Sequence, residues 1–113
     1  MVDTHCHLDA GRFDADRDEV LARAFNAGVT GLVIPGVSPD TWEPLLRWPA
    51  RDVRVQVALG IHPQALPELP PEGDAGHLQQ LETLLSAGIA CAVGECGLDG
   101  PSVERGASLA RQV

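Results

Sequence analysis

The chain contains no lysine: its eight basic residues are all arginine, scattered from Arg12 to Arg111 without forming a stripe. Sixteen acids oppose them, leaving a formal net charge of −8. Such a surface repels a nucleic-acid backbone on average, which excludes a broad basic binding face. It does not exclude a nuclease, because bound cations invert the field at a site. No apolar stretch reaches the ~18 residues of a membrane span. No apolar signal core follows the acids and histidines that begin at position 3. A cytoplasmic location without membrane contact is expected. Cysteine is sparse and odd in number, with Cys6, Cys91 and Cys96 in no C-x-x-C pair, which argues against a disulfide framework or a Cys-rich zinc site. The remaining composition is that of an ordinary soluble globular domain, and 113 residues hold one domain at most.

Short apolar runs alternate with helical stretches. Met1 to Thr4 reads as a strand. Asp16 to Ala27 reads as a helix, with Val20, Leu21, Ala24 and Phe25 on one face, Asp18 and Glu19 in the first turn and Gly28 after its end. Gly31 to Pro35 reads as a buried strand. Ser38-Pro39 opens a second helix, with Trp42, Leu45, Leu46 and Trp48 as its apolar face. Pro44 and Pro49 make that helix short or irregular. Val53 to Gly60 is a third strand, and residues 63–74 form a Pro-, Glu- and Gly-rich loop. Asp74 is expected to cap a helix whose Leu78, Leu81, Leu84 and Leu85 share a face. Ile89 to Val93 is a fourth strand, and Ser102 is expected to cap a last helix containing Leu109 and Val113. The strand-helix units of ~25–30 residues suit a parallel α/β sheet. Four of them are about half of an eight-unit TIM barrel. Residues 1–113 are therefore expected to be a single partial domain.

Every polar cluster follows a strand, where parallel α/β folds build their sites. His5 and His7 alternate with Cys6 on an extended segment, so their rings share a face, and the pair is open between histidines hydrogen-bonded to their neighbours and half of a site for a divalent cation. Cys6 then points the other way, into packing. Asp3 and Thr4 are candidates to orient an imidazole. Glu95, in Gly94-Glu95-Cys96-Gly97-Leu98-Asp99, is open between a solvated loop glutamate and a carboxylate whose two oxygens bind cations independently. Asp99 is open between orienting a ligand, binding metal and capping the next helix, with a supporting role favoured. His62, in Gly60-Ile61-His62-Pro63, is open between a turn histidine held by Pro63 and a group that donates to phosphate or moves a proton. His77 is assigned to the surface, and Trp42 and Trp48 to packing.

Val2-Asp3-Thr4-His5-Cys6-His7-Leu8-Asp9, Pro35-Gly36-Val37, Gly60-Ile61-His62-Pro63 and Val93-Gly94-Glu95-Cys96-Gly97-Leu98-Asp99 resemble, in order and spacing, the TatD family of metal-dependent hydrolases. The resemblance covers nearly the whole chain. It implies an amidohydrolase-type (β/α) barrel that cleaves phosphodiester bonds in DNA with one or two divalent ions such as Mg, Mn or Zn. It implies His5, His7 and Glu95 as metal ligands, Glu95 bridging, with His62 near the site and Glu95 and His62 as the catalytic pair. The family completes its site with two further histidines and an aspartate. This chain has no histidine after His77 and no aspartate after Asp99. The expectation is an amino-terminal half, truncated, whose competence alone is open. Its partner would be DNA or another phosphodiester, with self-association through open strand edges. The alternative is a non-catalytic half-barrel that persists by oligomerisation or with a partner chain. A related phosphatase or amidohydrolase with the same opening His-x-His is disfavoured by the Gly-Ile-His-Pro and Gly-Glu-Cys-Gly-Leu-Asp segments.

Overall fold

The apolar runs Gly31–Gly36 and Val55–Leu59 suit strands covered on both faces. In the computed structural model, which describes residues 1–113, they are β2 and β3, paired in parallel from Leu32↔Val55 to Gly36↔Leu59. β1 (Val2–Asp3) pairs with the start of β2, and β4 (Ala92–Val93) pairs with the end of β3. The sheet order is β1-β2-β3-β4, parallel throughout.

Helices make each crossover, as parallel neighbours require. α1 (Arg17–Asn26) joins β1 to β2, and α2 (Pro39–Leu45) with α3 (Trp48–Arg51) joins β2 to β3. α4 (Asp74–Ser86) joins β3 to β4, and α5 (Gly100–Glu104) and α6 (Leu109–Gln112) follow. Leu32 and Ile34 of β2 and Val55 and Val57 of β3 form the core with Leu8, Leu45 and Trp48. Val20, Leu21 and Phe25 press the α1 face onto that core. Trp42 is fully buried, and its indole N–H donates to the Gly60 carbonyl at 3.0 Å. Both tryptophans therefore pack, as their spacing suggested.

Several boundaries differ from the sequence reading for local reasons. The second helix is two short ones: Pro44 sits in the last turn of α2, and Pro49 opens α3. The third strand begins at Val55 because Asp52 folds back on Arg54, accepting its backbone N–H and two guanidinium bonds, and leaves Val53 exposed. The fourth strand shrinks to two residues, Ala92 and Val93, which pair with Ala58 and Leu59 at the end of β3. Asp74 is not a cap but the first residue of α4, and its carboxylate instead receives Arg111. The last helix is broken at Gly106, whose φ of 104° suits only glycine. Asp99, not Ser102, caps α5, accepting the Ser102 N–H at 2.8 Å. Ser108 caps α6, and Val113 lies beyond it. His77 is half-buried against Gly73, with Nδ1 buried and without a partner, rather than at the surface.

Candidate metal centre

His5, Cys6 and His7 lie just beyond β1, but their chain path is still fixed by the sheet: the Cys6 N–H donates to Val33 O at 3.1 Å. With Cys6 bonded across to β2, the two flanking histidines turn to one side. Their Nε2 atoms lie 3.3 Å apart, with the rings 81° from coplanar. The Cys6 side chain packs against the core, and burial, with the Asp3 charge adding, pushes its thiol pKa up. Asp3 does not reach an imidazole. Its carboxylate accepts the His5 backbone N–H at 3.1 Å and so braces the turn out of the strand.

Glu95 arrives from the opposite edge of the sheet, just after β4. Its position depends on two glycines in close approach. A Cβ on Gly60 would overlap the Gly94 carbonyl oxygen, and a Cβ on Gly94 would sit 2.7 Å from that of Ala58. The bare backbones let the segment after β4 lie directly on the end of β3. Glu95 itself has φ of 30°, a positive value that β-carbon sterics disfavour. Backbone strain of this kind persists where the surroundings over-determine it, and it gathers at functional sites.

The result is a convergence. His5 Nε2 lies 3.1 Å from one Glu95 carboxylate oxygen and His7 Nε2 lies 3.4 Å from the other. The three side chains offer donor atoms all within 4.8 Å of one another. One Glu95 oxygen, Oε2, is buried with no hydrogen-bond partner, an arrangement that costs free energy unless something satisfies it. Two imidazole nitrogens and a carboxylate aimed at one point are a donor set for a divalent cation such as Zn or Mn, and the orphaned oxygen fits such an occupant.

Asp9 is a neighbour that the motif reading did not assign. Its Oδ1 lies 4.0 Å from His7 Nδ1, too long for a direct hydrogen bond, and is otherwise unpartnered. It lies on the side of the ring opposite Nε2, where a carboxylate orients a metal-binding imidazole. The signal was available, since Asp9 follows His7 by the same two-residue step that separates His5 from His7.

His62 lies outside the three-residue cluster. Its backbone N–H donates to Val37 O at 2.8 Å, and its Nδ1 accepts the Gln64 N–H at 3.0 Å. Asp99 caps α5, and its carboxyl is held below the usual range first by the Ser102 hydroxyl, with the Ser102 backbone N–H adding.

A family model described as TatD related DNase matches residues 2–112. The chain belongs to the TatD family. Among curated TatD relatives, it is 35% identical over 99 residues to the 3'-5' ssDNA/RNA exonuclease TatD of Enterobacter lignolyticus, covering 88% of this chain and 36% of that protein. It is 35% identical over 101 residues to the uncharacterized metal-dependent hydrolase YjjV of Escherichia coli K12, covering 88% and 38%. It is 35% identical over 111 residues to the human deoxyribonuclease TATDN3, again covering 88% and 38%. The crystal structure of the TatD homologue YjjV superposes with a TM-score of 0.79 at 29% identity, covering 99% of this chain and 44% of that one. The chain thus spans well under half the length of these relatives. Its four parallel βα units are about half of the TIM-barrel-type TatD fold.

Proposed function

We propose that residues 1–113 form a partial domain carrying the first half of a metal-dependent phosphodiesterase site, of the deoxyribonuclease type. The carrying observation is the meeting of His5 Nε2, His7 Nε2 and both Glu95 oxygens around one point. The relatives named as a deoxyribonuclease and an ssDNA/RNA exonuclease support DNA, or another phosphodiester, as the substrate. One or two divalent ions (Mg, Mn or Zn) are the cofactor this donor set suits, held by His5, His7 and Glu95. A bound cation there supplies Lewis-acid stabilisation of charge on a phosphoryl oxygen.

The chain's own groups divide the remaining work. His5 and His7 present Nε2 as neutral donors, with Asp9 behind His7 to set its ring. Glu95 contributes one oxygen toward each histidine. His62 accepts at Nδ1 from Gln64, which in the neutral ring leaves the proton on Nε2. His62 therefore donates from Nε2 to a phosphate oxygen and can release that proton to a leaving oxygen. Three free cysteines support a reducing, cytoplasmic location, and no helix is long and apolar enough to cross a membrane.

The test is a Mn²⁺ titration of the chain by calorimetry, beside Glu95→Ala and His7→Ala. Saturable one- or two-site binding that falls at least tenfold in both variants is expected. Equal binding by all three proteins would reject the assignment.

A second reading is favoured by the exposure of the sheet's ends. Val2 on β1 is 56% exposed and Val93 on β4 is 62% exposed, and both strands have one unpaired edge. Such edges invite pairing with another chain. In this reading the chain persists as a non-catalytic half-barrel by self-association. Sedimentation equilibrium separates the two: concentration-dependent mass with no Mn²⁺ binding favours the second, and a monomer that binds Mn²⁺ favours the first.

A further inference from the structure

Glu95 is held at a strained backbone angle on a segment with almost no main-chain support. The Gly94 N–H donates to Leu59 O at 2.9 Å, but no residue from Glu95 to Leu98 makes a backbone–backbone hydrogen bond. The next fixed point is Asp99, and its main chain is gripped by a side chain from the far end of the sequence. Gln112 Oε1 accepts the Asp99 N–H at 2.6 Å, and Gln112 Nε2 donates to Asp99 O at 3.2 Å and to Ala107 O at 2.8 Å. One primary amide thereby closes a two-bond pair with a single residue's backbone, replacing the strand ladder that has ended at Val93.

The clamp is itself anchored. Arg111, the neighbour of Gln112 on α6, is largely buried. It donates to Leu66 O and Leu69 O, each at 2.7 Å, and to both oxygens of Asp74 at 2.7 and 2.8 Å. These bonds tie α6 to the segment between β3 and α4, so Gln112 meets Asp99 from a fixed platform. The positive φ of Glu95 requires restraint on both sides. Gly94 wedged on β3 supplies one side, and the Gln112 pair supplies the other.

We infer that Gln112 is a positioning residue for Glu95: through its paired hydrogen bonds to Asp99 it fixes the far end of the 95–98 segment and so aims the carboxylate at His5 and His7. The inference rests on the metal-binding reading of Glu95, but its first consequence is independent of any ion. Freed from Gln112, the Asp99 amide loses its direct acceptor, and the Gly94 amide, bonded to Leu59 O at the other end of the segment, exchanges faster while β2 and β3 do not.

The experiment compares the wild-type chain with Gln112→Ala and Gln112→Glu, and with Ser108→Ala, which weakens α6 without touching the amide pair. Hydrogen exchange is read over residues 94–99 in the metal-free chain, and Mn²⁺ affinity by calorimetry. Faster exchange confined to the Gly94 and Asp99 amides, and roughly tenfold weaker Mn²⁺ binding, are expected for Gln112→Ala, with Gln112→Glu between it and wild type because it keeps only the acceptor. Ser108→Ala is expected to lower the melting temperature more than it lowers Mn²⁺ affinity. Exchange at Gly94 unchanged in Gln112→Ala would overturn the inference, as would an equal loss of Mn²⁺ affinity in Ser108→Ala. If Gln112→Ala does not fold, wild-type exchange and affinity in Gln112→Glu overturn it, and intermediate values uphold it. A wild-type chain that binds no Mn²⁺ defeats the metal reading alone, and the exchange result then decides the role of Gln112.

Discussion

Glu95 concentrates the cost of the site in one residue. A non-glycine residue at positive φ carries a penalty of about 1–2 kcal/mol, and the buried, unpartnered Oε2 adds to it. Asparagine enters positive φ more readily than glutamate, so Glu95→Asn is expected to stabilise the metal-free chain by up to about 1 kcal/mol while Mn²⁺ affinity falls at least tenfold. Urea denaturation and calorimetry on the same preparation check both halves, and a variant less stable than wild type would show that the angle carries no strain. The two glycines nearby give a second contrast. Gly60→Ala must push the Gly94 carbonyl aside and is expected to cost about 1–3 kcal/mol, as over-packing does. Gly76→Ala, inside α4 with nothing within 4 Å of the new methyl, is expected to gain about 1 kcal/mol instead. Equal urea midpoints for the two would refute the wedge. At this scale the sequence was informative about which side chains would meet, as with His5, His7 and Glu95. It was silent where the reason lay in another segment: nothing in Gly60 alone announces that Gly94 will rest on it.

Among the elements, α5 depends most visibly on one residue. Asp99 accepts the Ser102 N–H at 2.8 Å and the Ser102 hydroxyl at 2.5 Å, and Ser102 is fully buried. Asp99→Ala removes a helix cap, worth about 0.5–2 kcal/mol, and leaves a buried hydroxyl without its acceptor. The loss is expected at the upper end of that range, measured by urea denaturation, and Asp99→Asn should recover part of it. A loss below a few tenths would mean that the cap is idle. The elements that could be read from sequence were those with a strong internal period. α1 falls within one residue of its expected ends because its apolar face and the glycine after it agree. β2 and β3 are legible because their apolar runs pair with each other. The terminal pieces were not legible, because their limits are set by what they meet. β4 ends opposite the last residue of β3, β1 ends where the Asp3 carboxylate takes the His5 N–H, and the expected last helix divides at Gly106, where the chain turns back so that Gln112 reaches Asp99. A capping residue such as Asp74 also reads identically whether it caps a helix or receives an arginine 37 positions away.

For the whole molecule, charge and long-range ion pairing pull in opposite directions as pH falls. Sixteen acids against eight arginines give mutual repulsion at neutrality, and protonating carboxylates first relieves it. Three carboxyls oppose that trend. Asp74 is held below its usual pKa by Arg111, Asp99 by Ser102, and Asp52 by Arg54 down to about 2. A carboxyl with a depressed folded pKa adds stability that is complete above the unfolded value, ~3.9, and is lost as pH falls through the folded value, because the unfolded chain then binds more protons. Stability is therefore expected to hold from pH 7 to about pH 5 and to drop steeply below about pH 4. The Asp74–Arg111 pair should dominate the drop in its own region, since it joins α4 to α6 across 37 residues and is the least solvent-exposed of the arginine–carboxylate pairs. Asp74→Asn tests this directly. It should lower the urea midpoint at pH 7, and its deficit against wild type should shrink as pH falls through the lowered folded value of the wild-type carboxyl. A deficit that stays constant across the series would mean that the pair contributes packing rather than charge, and that Arg111 anchors α6 through the Leu66 and Leu69 carbonyls.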